Sequence, residues 1–240
     1  MKKIFAFTVS LIIVICSFTA CSGKTENTPE KESSSVDTQS VSVYVSIADK
    51  IPQLTWVKVN VTDADNDGAL TICDALYCAH EQYFKDGADG FGYEETEYGL
   101  SLTKLGGISD GASFGYYHNN ASAMSLLDEV SDNDYVYAFV YSDNVNYSDV
   151  YCYFDQNTIS TQATDGYTLT VYSCGFDENW APVTAAFEGA EITIDGEKTG
   201  IITDENGKAV IALTEGDHII SAVSDTVTIV PPVCTARVTK

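Results

Sequence analysis

Apolar and polar positions alternate along most of this chain, and the period lengthens to that of a helix only once. Val41, Val43, Val45 and Ile47 share one face of an extended segment, which predicts a half-buried strand. Leu54–Val61 predicts a second strand, with Trp56, Lys58 and Asn60 on one face and Val57, Val59 and Val61 on the other. Asp49–Gln53, which contains Pro52, makes the turn between them. Ile72, Leu76, Ala79 and Tyr83 then recur at helical spacing, so a helix is expected over Ile72–Phe84 with these four toward the sheet. Asp86–Tyr98 is glycine-rich and acidic and reads as a loop, and Leu100–Gly111 as a short apolar segment followed by glycines. Gly115–Asn120 reads as a strand closing in an Asn-Asn turn, and Ala121–Asp128 as a short crossover. Tyr135–Tyr141 has an aromatic face (Tyr135, Tyr137, Phe139, Tyr141) and an aliphatic one (Val136, Ala138, Val140), and Asp149–Phe154 adds a further strand.

Thr161–Asp165 reads as a linker. Beyond it the pattern is all β: Tyr167–Cys174, Ala190–Ile194, Gly200–Thr203, Ala209–Leu213, His218–Val223 and Thr226–Val230, with hairpin turns at Asp195-Gly196 and Asp204–Gly207. The expected fold is α+β and mainly β. A β-grasp-like domain, a mixed sheet on one helix, occupies residues 41–160, and a small Ig-like or transthyretin-like β-sandwich occupies 165–240.

The first forty residues do not fit either domain. Lys2 and Lys3 precede an apolar run, Ile4–Ile15, that is too short to span a bilayer comfortably, and Phe18-Thr19-Ala20-Cys21 looks like a bacterial lipobox. Residues 1–20 are therefore read as a lipoprotein signal peptide, Cys21 as the lipidated N-terminus, and 21–40 as a flexible Ser/Thr/Glu tether. The expected location is the extracellular face of a bacterial membrane. The formal net charge is −23, and cleavage would remove two lysines and no acid. Such a chain is a poor partner for nucleic acid or anionic lipid.

The acids are not evenly spread. Asp63, Asp65, Asp67 and Asp74 occupy positions 1, 3, 5 and 12 of a twelve-residue stretch, with Gly68 at position 6 and Leu70 at position 8. A hard cation such as Ca²⁺ takes six to eight oxygens, and a tight loop supplies them from alternate side chains, a carbonyl at position 7 and a carboxylate at position 12. Asp63, Asp65, Asp67 and Asp74 are expected to bind through carboxylates, Ala69 through its carbonyl, and Thr71, too short to reach, through water. An acidic surface loop with a helix N-cap is the competing reading.

Other candidates are weaker. Gly107-Ile108-Ser109-Asp110-Gly111 fits Gly-x-Ser-x-Gly, yet Ala112–Tyr116 reads as loop then strand, where a nucleophile elbow needs a helix. His80, His118 and His218 are isolated, and no catalytic residue is expected. After processing, Cys73, Cys78, Cys152, Cys174 and Cys234 remain, an odd number; Cys174 and Cys234 are placed to pair. The aromatic face of Tyr135–Tyr141 is either core against the helix or a platform for a sugar or flat ligand, and Tyr116, Tyr117 and Asn120 are further ligand-binding candidates.

Three resemblances rest on these residues. Asp63-x-Asp65-x-Asp67-Gly68-x-Leu70-x-x-x-Asp74 with Ala75-Leu76 after it resembles half of a dockerin; a dockerin normally has two such copies. Residues 43–157 resemble a bacterial surface domain related to the C-terminal domain of transcobalamin and intrinsic factor, through Gly115-Tyr116-Tyr117-x-Asn119-Asn120 and Val130-x-x-x-Asp134-Tyr135-Val136. That likeness implies a β-grasp-like fold and permits a cobalamin-like ligand. Residues 167–230 resemble a carboxypeptidase-regulatory or collagen-adhesin B-type repeat, through Gly189-Ala190-x-Ile192-x-Ile194 and Gly200-x-x-Thr203-Asp204-x-x-Gly207-x-Ala209. Tyr167–Cys174 contains no lysine, so no isopeptide bond is expected. Two functions stay open: a non-catalytic, calcium-binding surface module for adhesion, scaffolding or display toward an unknown protein or glycan partner, and capture of a small cobalamin-like or carbohydrate ligand.

Overall fold

A computed structural model describes residues 40–179 and 181–240. The signal peptide, Cys21 and the tether lie outside these residues. The described residues lie within one compact unit. It is mainly β with a single α-helix and mixed sheets among the described residues.

The chain enters as β1 (Ser40–Ala48) and returns as β2 (Pro52–Thr62). It then forms the helix α1 (Ile72–Tyr83), a 3-10 turn (Gly87–Gly90) and a small hairpin of β3 (Gly92–Thr96) and β4 (Gly99–Lys104). The segment expected as a loop over Asp86–Tyr98 is thus largely ordered. Next come β5 (Phe114–His118), β6 (Ala121–Ser122) and β7 (Tyr135–Val140). The first sheet has the order β2-β1-β7-β5-β6, with β1 and β7 parallel. Asn119 and Asn120, both at positive φ, make the expected turn between β5 and β6.

The rest of the chain comprises β8 (Val150–Phe154), β9 (Thr158–Gln162), β10 (Thr164–Phe176), β11 (Pro182–Ala186), β12 (Glu191–Ile194), β13 (Glu197–Ile202), β14 (Lys208–Leu213), β15 (Gly216–Val223), β16 (Ile229–Val230) and β17 (Cys234–Thr239). They form a sheet in the order β11-β10-β8-β16, with β14 also paired to β10, and an outer sheet in the order β13-β12-β15-β17-β9. Asp195 and Gly196, both at positive φ, close the β12–β13 hairpin. Asp204–Gly207 also turns the chain, but it passes from β13 in the outer sheet to β14 on the other, so it is a crossover and not a hairpin.

Two expectations fail at the join. The linker at Thr161–Asp165 is occupied by the end of β9 and the start of β10. Asp149–Phe154 does not extend the first sheet: β8 pairs with β10 and β16. Short polar residues there look like a spacer, yet β9 finds its partner seventy-odd residues later in β17, which no local pattern signals.

Three apolar clusters explain the layering. The first packs Ile72, Leu76 and Ala79 of α1 on Val43, Val45, Val59, Val136 and Ala138. A second fills the C-terminal sandwich around Phe154, Leu169, Val171, Ile192, Ile211 and Ile220. Between them lies an aromatic layer of Tyr135, Tyr137, Phe139 and Tyr151, flanked by Tyr44, Trp56 and Tyr117. The aromatic face of β7 is therefore core, but not against the helix: it packs on the C-terminal half. Likewise β1 is buried on both faces, since Val43, Val45 and Ile47 serve the first cluster and Ala48 the aromatic layer. Ser46, fully buried there, accepts the Trp56 N–H at 2.9 Å.

Tyr83 meets the sheet only at its edge and is not part of the core. It is 47% exposed, and its hydroxyl donates to the Lys58 carbonyl at 2.7 Å. Gln82 bonds both the N–H and the carbonyl of Asn60. Together they cap outward-facing backbone groups of β2, an edge strand that would otherwise be open to pairing.

Candidate functional site

The loop between β2 and α1 is shaped by its own carboxylates. Asp63 accepts the N–H groups of Asp67 and Gly68, at 3.1 and 2.9 Å, and Asp67 accepts that of Ala69 at 2.8 Å. Asn66 (φ 62°) and Gly68 (φ 94°) turn the chain through left-handed conformations. A Cβ on Gly68 would meet nothing within 4 Å, so glycine is needed there for its backbone and not for space. The result brings one oxygen each of Asp63, Asp65 and Asp67 within 4.8 Å of one another. Oxygens about 2.4 Å from a shared Ca²⁺ are at most about 4.8 Å apart, so this triplet fits one hard cation. Asp63 is half-buried and the other two are exposed. Burial raises the Asp65 pKa, and the charges of Asp67, Asp74 and Asp63 push it the same way, against a hydrogen bond from the Asp67 backbone.

Asp74 stands apart from the triplet. It is 3% exposed and sits at the third position of α1, where it completes a capping box with Thr71. Its Oδ2 accepts both the backbone N–H and the hydroxyl of Thr71, at 2.9 and 2.7 Å, and its Oδ1 accepts the Ala64 N–H at 2.8 Å. Each carboxylate oxygen has two acceptor positions, so Oδ2 is saturated and only Oδ1 retains one. Thr71, 2% exposed, is the N-cap, its hydroxyl turned to Asp74. The first two helical amides, of Ile72 and Cys73, donate to the carbonyls of Asp128 and Leu126, and the Val130 N–H donates to Leu70. The start of the helix is thereby tied to a distant loop that the sequence pattern does not connect with it.

Beside the loop, Asp65 and Asp74 line a small pocket of about 170 Å³ with Cys73, Tyr77 and Tyr93. Burial, with the nearby charges of Asp74, Asp65 and Asp67, pushes the Cys73 thiol up to about 12. All five described cysteines are free. Cys234 begins β17 within the sandwich core, while Cys174 packs against the aromatic layer, and the pairing that the sequence left open does not form.

The remaining candidates part company. Tyr117 stacks on Tyr151 with ring centroids 3.7 Å apart, and Asn120 accepts the Tyr151 hydroxyl at 2.8 Å. Tyr116 is half-buried against the helix-side core. Tyr116 and Tyr117 line a cleft of about 580 Å³, whereas Asn120 lines a smaller neighbouring pocket of about 100 Å³. The cleft also takes in Tyr141, the last residue of the aromatic face read over Tyr135–Tyr141, and Tyr147 and Asp149, which the strand pattern does not single out as ligand candidates. The Asx-rich run Asp143–Asp149 between two aromatic strands is the available signal. Ser109 of the Gly-x-Ser-x-Gly stretch lies in a loop, its hydroxyl 3.4 Å from Asp110. No protein-family model and no curated protein sequence matches this chain.

Proposed function

We propose that this chain is a calcium-binding, non-catalytic module held at the outer face of a bacterial membrane through lipidated Cys21, where it serves adhesion, scaffolding or display. The observation that supports it most is the convergence of Asp63, Asp65 and Asp67 within 4.8 Å beside a helix start. Ca²⁺ would take these three carboxylates, the Ala69 carbonyl, Asp74 through Oδ1 alone, and water, with Thr71 acting as helix cap. The mixed sheet with α1 on one face favours a β-grasp-like first half, and the two-sheet core beyond it favours an Ig-like or transthyretin-like second half. The proposed attachment is the lipid on Cys21; among the described residues no helix is long and apolar enough to cross a membrane.

Titration with Ca²⁺ followed by thermal melting tests the cation. At ten- to thousandfold excess over Kd, binding should stabilise the fold by roughly 1.4–4 kcal/mol. Asp67→Asn should abolish most of that shift. A melting temperature indifferent to both Ca²⁺ and EDTA overturns the proposal.

A second reading, capture of a small ligand, is favoured by the cleft at Tyr116 and Tyr117. Its volume lies within the range of small-molecule sites.

A further inference from the structure

The cleft at Tyr116 and Tyr117 opens between the edge of the first sheet, at β5 and β6, and the end of β10 with β11. Four tyrosines (Tyr116, Tyr117, Tyr141 and Tyr147) and Phe176 line it with a single carboxylate, Asp149. Among the described residues no Lys, Arg or His does so.

The walls are held before any ligand arrives. Tyr117 has one face covered by Tyr151. Tyr141 and Tyr147 meet edge to face, with centroids 5.3 Å apart and planes at 75°. Tyr147 is 55% exposed and keeps a backbone φ of 54°, a left-handed conformation that a bulky side chain rarely adopts. The loop that imposes it is tied down by Asp143, which accepts the N–H groups of Val145 and Asn146 and the Ser148 hydroxyl. Asp149 accepts the N–H groups of Ser142 and Asp143, one on each oxygen, so each oxygen keeps a free acceptor position in the cleft wall.

Rings that carry hydroxyls suit a ligand with apolar C–H faces and a polar rim, and a carboxylate with spare lone pairs accepts hydroxyl donors. A lone carboxylate, in a chain of net charge −23, repels anionic ligands. We propose that this cleft binds a short neutral oligosaccharide, stacked on Tyr147 and Tyr117 and hydrogen-bonded to Asp149. The proposal rests on the ligand-capture reading and narrows it to one site and one chemical class.

The test is calorimetric titration of the full chain with cellotetraose, xylotetraose, mannotetraose and chitotetraose, alongside cyanocobalamin and an oligogalacturonate. At least one neutral oligosaccharide should bind, and the anionic one should not. Tyr147→Ala, and independently Ala185→Trp, which narrows the cleft from β11, should each weaken binding about tenfold, equivalent to about 1.4 kcal/mol. Neither should change the Ca²⁺-dependent melting shift. Binding of cyanocobalamin alone would leave ligand capture standing and overturn the oligosaccharide. Failure of every probe would overturn both, and oligosaccharide binding untouched by either substitution would overturn the site.

Discussion

Two histidines show how the same side chain is put to opposite uses. His80 is fully buried in α1, its Nδ1 2.7 Å from the Leu76 carbonyl and its Nε2 accepting the Gly106 N–H at 3.0 Å. One nitrogen must donate and the other accept, which is the neutral ring. Burial accordingly lowers its pKa, with the Leu76 bond opposing. His218 faces two acceptors, the Asp195 carboxylate at 2.7 Å and the Thr214 carbonyl at 3.0 Å. Only the doubly protonated ring satisfies both, and the bond to Asp195 raises its pKa despite partial burial. Linkage between protonation and folding fixes the signs. His218 contributes fully below its unfolded pKa, about 6.5, and that contribution is lost as pH rises through the higher folded value. His80 behaves inversely, and its contribution is lost as pH falls below about 6.5. His218→Gln should therefore lower the melting temperature more at pH 5.5 than at pH 9. Ring resonances tracked by NMR should show His218 charged, and His80 neutral, on either side of the unfolded midpoint. A pH-independent effect of His218→Gln would rule out the charged pair.

At the scale of elements, β5 depends on a glycine that the sequence presents only as part of a motif, with no task of its own. A Cβ on Gly115 would stand 2.8 Å from Phe139 Cε1 and closer still to Cζ, and Phe139 is 2% exposed. Gly115 is not at positive φ, so its role is to admit the ring across the β5–β7 pair. Gly115→Ala should cost about 1–3 kcal/mol as overpacking, read as a lower denaturant midpoint at unchanged m-value. An unchanged midpoint would mean that the ring has space it is not seen to have. Most elements are legible in the sequence because their periods are clean: α1 ends within a residue of expectation, and β7 shows its two faces. The hidden ones share a cause. β11 is exposed throughout, and β3 buries no residue, so neither leaves a hydrophobic pattern. The acidic loop stands out because its spacing matches the ligand pattern expected around a cation, whereas the same spacing predicts Asp74 as a ligand without revealing the capping box that claims most of its acceptors.

The whole molecule departs furthest from what the sequence predicts, and for one physical reason. Alternation identifies two faces of a strand but not what covers each, so the pattern offers the helix as cover for the aromatic face of β7. That face instead meets Tyr151 of β8, and the Tyr137 hydroxyl donates to the Pro231 carbonyl, ninety-four residues away in sequence. β8 is the shared member, giving Tyr151 to the aromatic layer and Cys152 and Phe154 to the sandwich core. Tyr137, Tyr151 and Phe139 are among the largest fully or nearly fully buried side chains, and burying each contributes about 1.5–3 kcal/mol. A chain ending at Ala163 retains every residue expected of the first domain, yet it loses the partners of β8 and β9 and bares the aromatic layer. That fragment should bind a hydrophobic dye and melt without a sharp transition. The full chain should show one calorimetric transition, with calorimetric and van't Hoff enthalpies in agreement. Any Ca²⁺-dependent shift should then move that transition as a whole, including signals from the sandwich far from Asp63. A soluble fragment with its own cooperative melt, or a full chain with two transitions of which Ca²⁺ moves only one, would show that the two cores are thermodynamically separate despite the ring layer between them.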